Sequence, residues 1–297
     1  MTNHIAIISS ATLSLIGQMI IVILFFYFTK LRNGLIPRII LYLTIGGIIQ
    51  TIGILGSSFD ELNCTLFGLF RLYGGLSSII WSSILIYSIK QVVNSSMTQL
   101  FMVFNNQNSS EFMDIRDILN KLVKLEMKFC LYSFGLPLLL LTYPLLTALI
   151  YDSKNSQLCL FYNIQTDPLL QKMQLNIQKL ILWIIPISLY LIYSLSILNR
   201  IKHVIKDDQE KQEIYIEVKK LIKQILSFPI ITFICTLSFT VEDIQSLFMS
   251  QIGLTQTSIS LAFLSFWGFL NCLAYLSQDS VRLEIRSRKM SEEQQDM

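Results

Sequence analysis

Seven long apolar segments divide this 297-residue chain, and they constrain it more than any motif it carries. About 20 apolar residues wound as a helix rise ~30 Å, the thickness of a bilayer's hydrocarbon core. Residues 5–29 and 39–59 contain no Asp, Glu, Lys or Arg. A soluble core helix of that length keeps one polar face, and the run from Leu15 to Phe28 keeps almost none. Charged residues make up 14% of the chain, against about 25% in soluble domains, and they collect between the apolar runs. The pattern predicts an all-helical membrane protein with spans near 5–29, 37–58, 66–91, 129–151, 178–199, 220–242 and 257–277. The seven-helix domain covers 1–277, and 278–297 forms a tail. The first charge-free run lacks a basic stretch before it and a small-residue cleavage site, so it reads as a span rather than a leader.

Orientation follows from the basic residues, which favour the cytoplasmic side. Alternate linkers place 19 Lys and Arg on one side and 3 (Lys154, Lys172 and Lys179) on the other, with Arg71 inside a span. The N-terminus is therefore expected outside and the C-terminus inside. The longest linker, 92–128, holds a polar loop at Asn105–Ser110 and then Ile115, Ile118, Leu119, Leu122 and Val123 at helical spacing. That spacing predicts an amphipathic cytoplasmic helix leading into span four. After span seven, Val281, Leu283, Ile285 and Met290 mix with Arg282, Arg286, Arg288 and Lys289, which predicts a short helix on the inner leaflet.

Cys130, Cys235 and Cys272 fall in spans, where cysteine is a small apolar filler. Cys64 and Cys159 fall on the outer side, where disulfides persist. Either they bridge the second outer loop to the top of span three, or they remain loop thiols. Asn63 begins a formal glycosylation sequon that overlaps Cys64 at the membrane, and its use is not expected. No His/Cys spacing suggests a metal site.

Arg71 is an intramembrane charge, costly unless paired or hydrated. It heads a polar stretch with Tyr73, Gly74, Gly75, Ser77 and Ser78 before Trp81. Two readings stand. Arg71, with Tyr73, Trp81 and Glu242, contacts an anionic or polar ligand in an outward cavity, or it pairs with Glu242 or Asp243 at the outer end of span six. Pro137, Pro144, Pro186 and Pro229 interrupt spans four, five and six, and bend helices for hinging or for packing. The chain has no P-loop, no His-Glu-x-x-His and no Ser-His-Asp set, so no enzyme and no cofactor are expected. Span seven has no Lys, which excludes a retinal Schiff base there. No nucleic-acid partner is expected.

Span five reads Leu182-Trp-Ile-Ile-Pro186-Ile-Ser-Leu-Tyr190, span six opens Lys219-Lys220-Leu-Ile-Lys223 before Pro229, and span seven closes Gly268-Phe-Leu-Asn271-Cys-Leu-Ala-Tyr275. This resembles the cyclic-AMP-receptor-like G-protein-coupled receptors, a group related to the secretin-like receptors. The resemblance covers essentially the whole chain through short, degenerate motifs. It implies a heterotrimeric G protein as partner, an extracellular ligand whose identity is unknown, and a site in the plasma membrane. Arg200, Lys202, Lys219, Lys220 and Lys223 would face the G protein. Pro229, Gly268, Asn271 and Tyr275 would form the switch. The chain departs from the rhodopsin-like class: span three ends Ile89-Lys90-Gln without an acidic-Arg-Tyr triplet, and Cys272 stands where that class has Pro. The second inner loop is also longer than the resemblance leads one to expect. Two rival functions remain, a membrane transporter and a scaffold subunit without signalling.

Overall fold

The computed structural model describes residues 2–32, 34–59, 64–104, 115–142, 184–207, 214–248 and 254–295. Among these the chain is helical throughout, as an apolar solvent requires, because every backbone N–H and C=O must then be satisfied within the segment. The elements are α1 (Thr2–Tyr27), the single turn α2 (Thr29–Arg32), α3 (Leu35–Phe59), α4 (Cys64–Phe104), α5 (Ile115–Cys130), α6 (Ile185–Asp207), α7 (Ile214–Phe248), α8 (Leu254–Leu276) and α9 (Asp279–Gln295). Helix α5 runs on through a π turn, Leu131–Gly135, to residue 142.

Five stretches are long and apolar enough to cross a membrane: Ile5–Tyr27, Leu35–Ser57, Leu66–Gln91, Val123–Thr142 and Ile259–Leu276. Shorter apolar stretches, Ile185–Ile197 and Gln224–Ser238, lie in α6 and α7. The distribution of side chains agrees with a lipid solvent. Ile23, Leu139, Ile192 and Phe263 point outward, while Ser14, Gln18, Thr51, Ser82, Thr232 and Asn271 are buried. Water would favour the opposite arrangement. The chain is a helical, multi-pass membrane protein.

Helix α4 sits at the hub. It packs against α3, α5, α6 and α7, while α8 packs against α7 and closes onto α1. The α3–α4 contact is close because Gly53 lies on the backbone of α4 at Arg71, and Gly74 lies on the backbone of α3 at Gln50 and Gly46. Small residues let helix backbones approach where lipid gives no hydrophobic push.

Pro137 explains one feature. Pro137 has no N–H, so the carbonyl four residues back, Ser133 O, loses its helical donor. Ser77 Oγ of α4 donates to that oxygen at 2.9 Å. The π turn Leu131–Gly135 falls at this interruption. Pro229 lies inside α7, and Tyr190 Oη of α6 donates to its carbonyl at 2.8 Å.

The expected amphipathic helix before span four is α5, and the expected helix after span seven is α9. Helix α4 is longer than expected and continues to Phe104, through Asn94-Ser-Ser. Helix α9 is tied at both ends of its first three turns. Arg282 Nε donates to Leu276 O at 3.2 Å, near the end of α8, and the Arg288 guanidinium lies 3.9 Å from the centre of the Tyr27 ring at the end of α1.

Candidate functional site

The interior is polar where α1, α3, α4, α7 and α8 meet. Thr232 of α7 is the centre of one chain of bonds. Its Oγ1 donates to Phe228 O at 3.0 Å and accepts from Trp267 Nε1 of α8 at 2.9 Å. With its proton committed and one lone pair taken, Thr232 has one lone pair left, which accepts from Ser82 Oγ of α4 at 3.1 Å. One threonine thus joins three helices. A second group forms around α1. Ser14 Oγ accepts from Gly268 N of α8 at 3.1 Å, and Thr51 Oγ1 of α3 lies 3.3 Å from Gln18 Oε1. Gln18 also abuts Gly47 and Gly268. Between α3, α4, α7 and α8 lies an internal cavity of about 10 Å³, bordered by Gln50, Ser78, Thr232, Thr236 and Trp267. It has room for about one water and none for an organic ligand.

A third polar group lies where α5 meets α3. Arg38 and Tyr42 are one turn apart on α3 and share the two oxygens of one carboxylate. Arg38 Nη2 lies 3.1 Å from Glu126 Oε2, and Tyr42 Oη donates to Glu126 Oε1 at 3.1 Å. The Tyr42 ring stacks on Trp81 at 4.8 Å, and Trp81 lies 5.9 Å from Phe134 in the π turn. One carboxylate therefore connects α3 and α5, and the aromatic stack carries that contact into α4.

The candidate residues divide among these regions. Arg71 is 5% exposed and faces the bundle. Tyr73 is half-buried two residues on. Trp81 is fully buried in the aromatic stack, ten residues and ~15 Å along α4 from Arg71, so one small ligand does not touch both. Pro229 and Gly268 lie in the polar interior, on α7 and α8. Asn271 and Tyr275 are 3% and 1% exposed, and Asn271 Oδ1 and Tyr275 Oη have no hydrogen-bond partner among the described residues. Arg200, Lys202, Lys219, Lys220 and Lys223 lie on the facing ends of α6 and α7, and their side chains are outside the described residues, as is that of Glu242. Cys159 and the side chain of Cys64 also lie outside them, so the bridge is not addressed. Cys130, Cys235 and Cys272 are free thiols, in keeping with a filling role.

No family model matches this chain, and no curated protein does. Among the described residues no group of three His, Cys, Asp or Glu is placed to hold a metal ion.

Sequence reasoning missed Gln18, Gln50, Thr51, Ser82, Thr232 and Trp267, because single hydroxyls and amides within apolar runs carry no motif. It also missed the Arg38–Glu126–Tyr42 group. A signal existed: Arg38 opens span two and Glu126 precedes span four at a matching depth, so both fall at the same membrane boundary.

Proposed function

We propose that this chain is a seven-helix receptor, N-terminus outside, that passes an extracellular signal to a cytoplasmic heterotrimeric G protein. The observation that carries the reading is the packing order. The third long helix is the hub, and the last long helix closes onto the first through a polar seam. α6 and α7 complete the count of spans. Their apolar stretches are short as described, but Leu180-Ile-Leu-Trp183 extends the first of them in sequence, and Leu221–Ile222 extends the second. Resemblance to the cyclic-AMP-receptor-like group supports the same reading.

In this reading a ligand acts from the outer side, near Arg71 and Tyr73, and favours one of two packings of the bundle. Helix α7 moves against α4 and α8, exchanging bonds at Thr232 and Trp267, and the basic inner ends of α6 and α7 form the G-protein surface. The 10 Å³ cavity is a point of exchange and does not hold the ligand. Asn271 and Tyr275 change partners at the inner end of α8.

The test is nucleotide exchange. Purified protein in nanodiscs should accelerate GTPγS uptake by at least one G-protein α subunit, with an Arg71→Ala variant less responsive to ligand at unchanged surface expression. Solute flux into proteoliposomes without any nucleotide exchange would replace the reading with a transporter. Neither activity would leave a scaffold subunit.

A further inference from the structure

Helix α5 has an outward face that is apolar along one row and basic along the next. Val123, Met127 and Leu131 recur at the spacing of one helical turn and are all exposed, Met127 at 80% and Leu131 at 71%. The row runs into Leu138 and Leu139, which are exposed on the same span, Val123–Thr142. Lys124 and Lys128 each follow a member of this row by one residue and are exposed too, one turn apart. Neither lysine has a carboxylate partner among the described residues. Glu126 stands between them in sequence but points the other way. Its two oxygens are held by Arg38 Nη2 and Tyr42 Oη of α3, each at 3.1 Å. The Arg38 guanidinium neutralises that carboxylate, so the two ammonium charges on the outward face are left without an offset.

Lys128 lies five residues, ~7.5 Å, inside the start of its span. An ammonium at that depth is costly in hydrocarbon, and it is relieved by reaching the headgroup layer. Cβ bonds of a helix tilt toward its N-terminus, and α5 enters the membrane N-terminus first, so both lysine stems lean back toward that layer. The counter-charge within their reach is a phospholipid headgroup. Met127 and Leu131 lie at the depth of acyl chains, where a water-soluble partner does not reach. A zwitterionic headgroup brings no net charge to offset two ammonium groups, and an anionic one does.

We propose that the start of α5 is a binding site for one anionic phospholipid of the inner leaflet. Its headgroup lies between Lys124 and Lys128, and an acyl chain lies along Val123, Met127 and Leu131. The arginine that holds Glu126 away from the lysines keeps the site positive. The site takes its leaflet from the orientation that the basic asymmetry predicts, the anionic cytoplasmic one, and it is independent of G-protein coupling.

The experiment uses the full chain in phosphatidylcholine nanodiscs carrying a trace of a phospholipid with a photoactivatable diazirine in its acyl chain. Labelled peptides are mapped by mass spectrometry. A phosphatidylserine probe should label residues 123–131 more than a phosphatidylcholine probe, by about fivefold for each lysine engaged. That preference should vanish in Lys124→Gln/Lys128→Gln and survive in Lys124→Arg/Lys128→Arg, because charge carries it. Both side chains are exposed, so the thermal midpoint should stay within error in either variant. Equal labelling of the native protein by the two probes overturns the proposal, and so does a preference that the glutamine variant keeps. Crosslinking of 123–131 to an added G-protein α subunit in place of lipid also overturns it and assigns a protein surface. If the glutamine variant does not fold, the native comparison and the arginine variant decide. No nucleotide exchange is read, so a failure here is distinct from a failure of the receptor reading.

Discussion

Gly47 holds the Trp267 indole where its own side chain would be, with Gln18 Nε2 2.6 Å from the same point. A methyl group there must push the indole aside, and with it the bond from Trp267 to Thr232. Gly47→Ala is expected to cost ~1–3 kcal/mol, the usual range for overpacking a core. The thermal midpoint in detergent reads it out, and an unchanged midpoint would mean that α3 and α8 stand further apart than described. Tyr275 behaves differently. Its hydroxyl is buried without a partner among the described residues, so Tyr275→Phe removes no bond from this packing. Stability should hold or rise slightly, since deleting an unsatisfied polar atom removes a desolvation cost of ~1–3 kcal/mol. If the chain is the proposed receptor, G-protein activation should nevertheless fall, because the hydroxyl would need its partner in the other packing. Normal activation with raised stability would leave Tyr275 no switching role.

Helix α5 and its π turn are held by contacts made from outside the helix. Glu126 connects α5 to Arg38 and Tyr42, and Ser77 supplies the donor that Pro137 denies to Ser133. Glu126→Ala strips two partners at once and leaves a half-buried guanidinium unpaired, so it should cost more than Tyr42→Phe, which loses one bond worth ~0.5–1.5 kcal/mol. Hydrogen exchange along α5 checks the ranking: faster exchange in Glu126→Ala than in Tyr42→Phe is expected, and equal rates would reduce the ion pair to a surface contact. The amphipathic character of α5 was legible from Ile115, Ile118, Leu119 and Leu122. Its tie to α3 was not, because a pair separated by 88 positions has no local pattern. Helix α9 shows the same division. Mixed apolar and basic residues announced a helix, and only the fold brought Arg288 over Tyr27.

At the scale of the whole molecule the prediction is topological. The basic asymmetry predicts the N-terminus outside and α9 inside. A tag at the N-terminus should bind antibody on intact cells and a tag after Met297 only after permeabilisation. The reverse labelling would invert the proposed receptor. If Cys64 and Cys159 form the bridge proposed across the outer face, non-reducing peptide mapping should find them linked, and reduction should cost ~2–5 kcal/mol of stability. Separate free peptides from oxidised protein would remove the bridge.

Periodicity and apolar length are local properties, so the chain alone determined that it is helical, that it is built for lipid, and roughly where its long helices run. Charge-free runs such as 5–29 cannot be read otherwise, because lipid offers no partner for an exposed backbone. Proline position likewise announced the interruption near 137, whereas α7 runs unbroken through Pro229. What the tertiary structure decided is which polar atoms meet. Thr232 looked like Thr236 and Thr240 in sequence, yet it alone receives both Trp267 and Ser82. Trp81 stood out in sequence only as an aromatic after a polar stretch, and the fold stacks it on Tyr42. A hydrogen bond depends on two atoms within about 3 Å, and their distance along the chain, 150 residues between Ser82 and Thr232, holds no information about that.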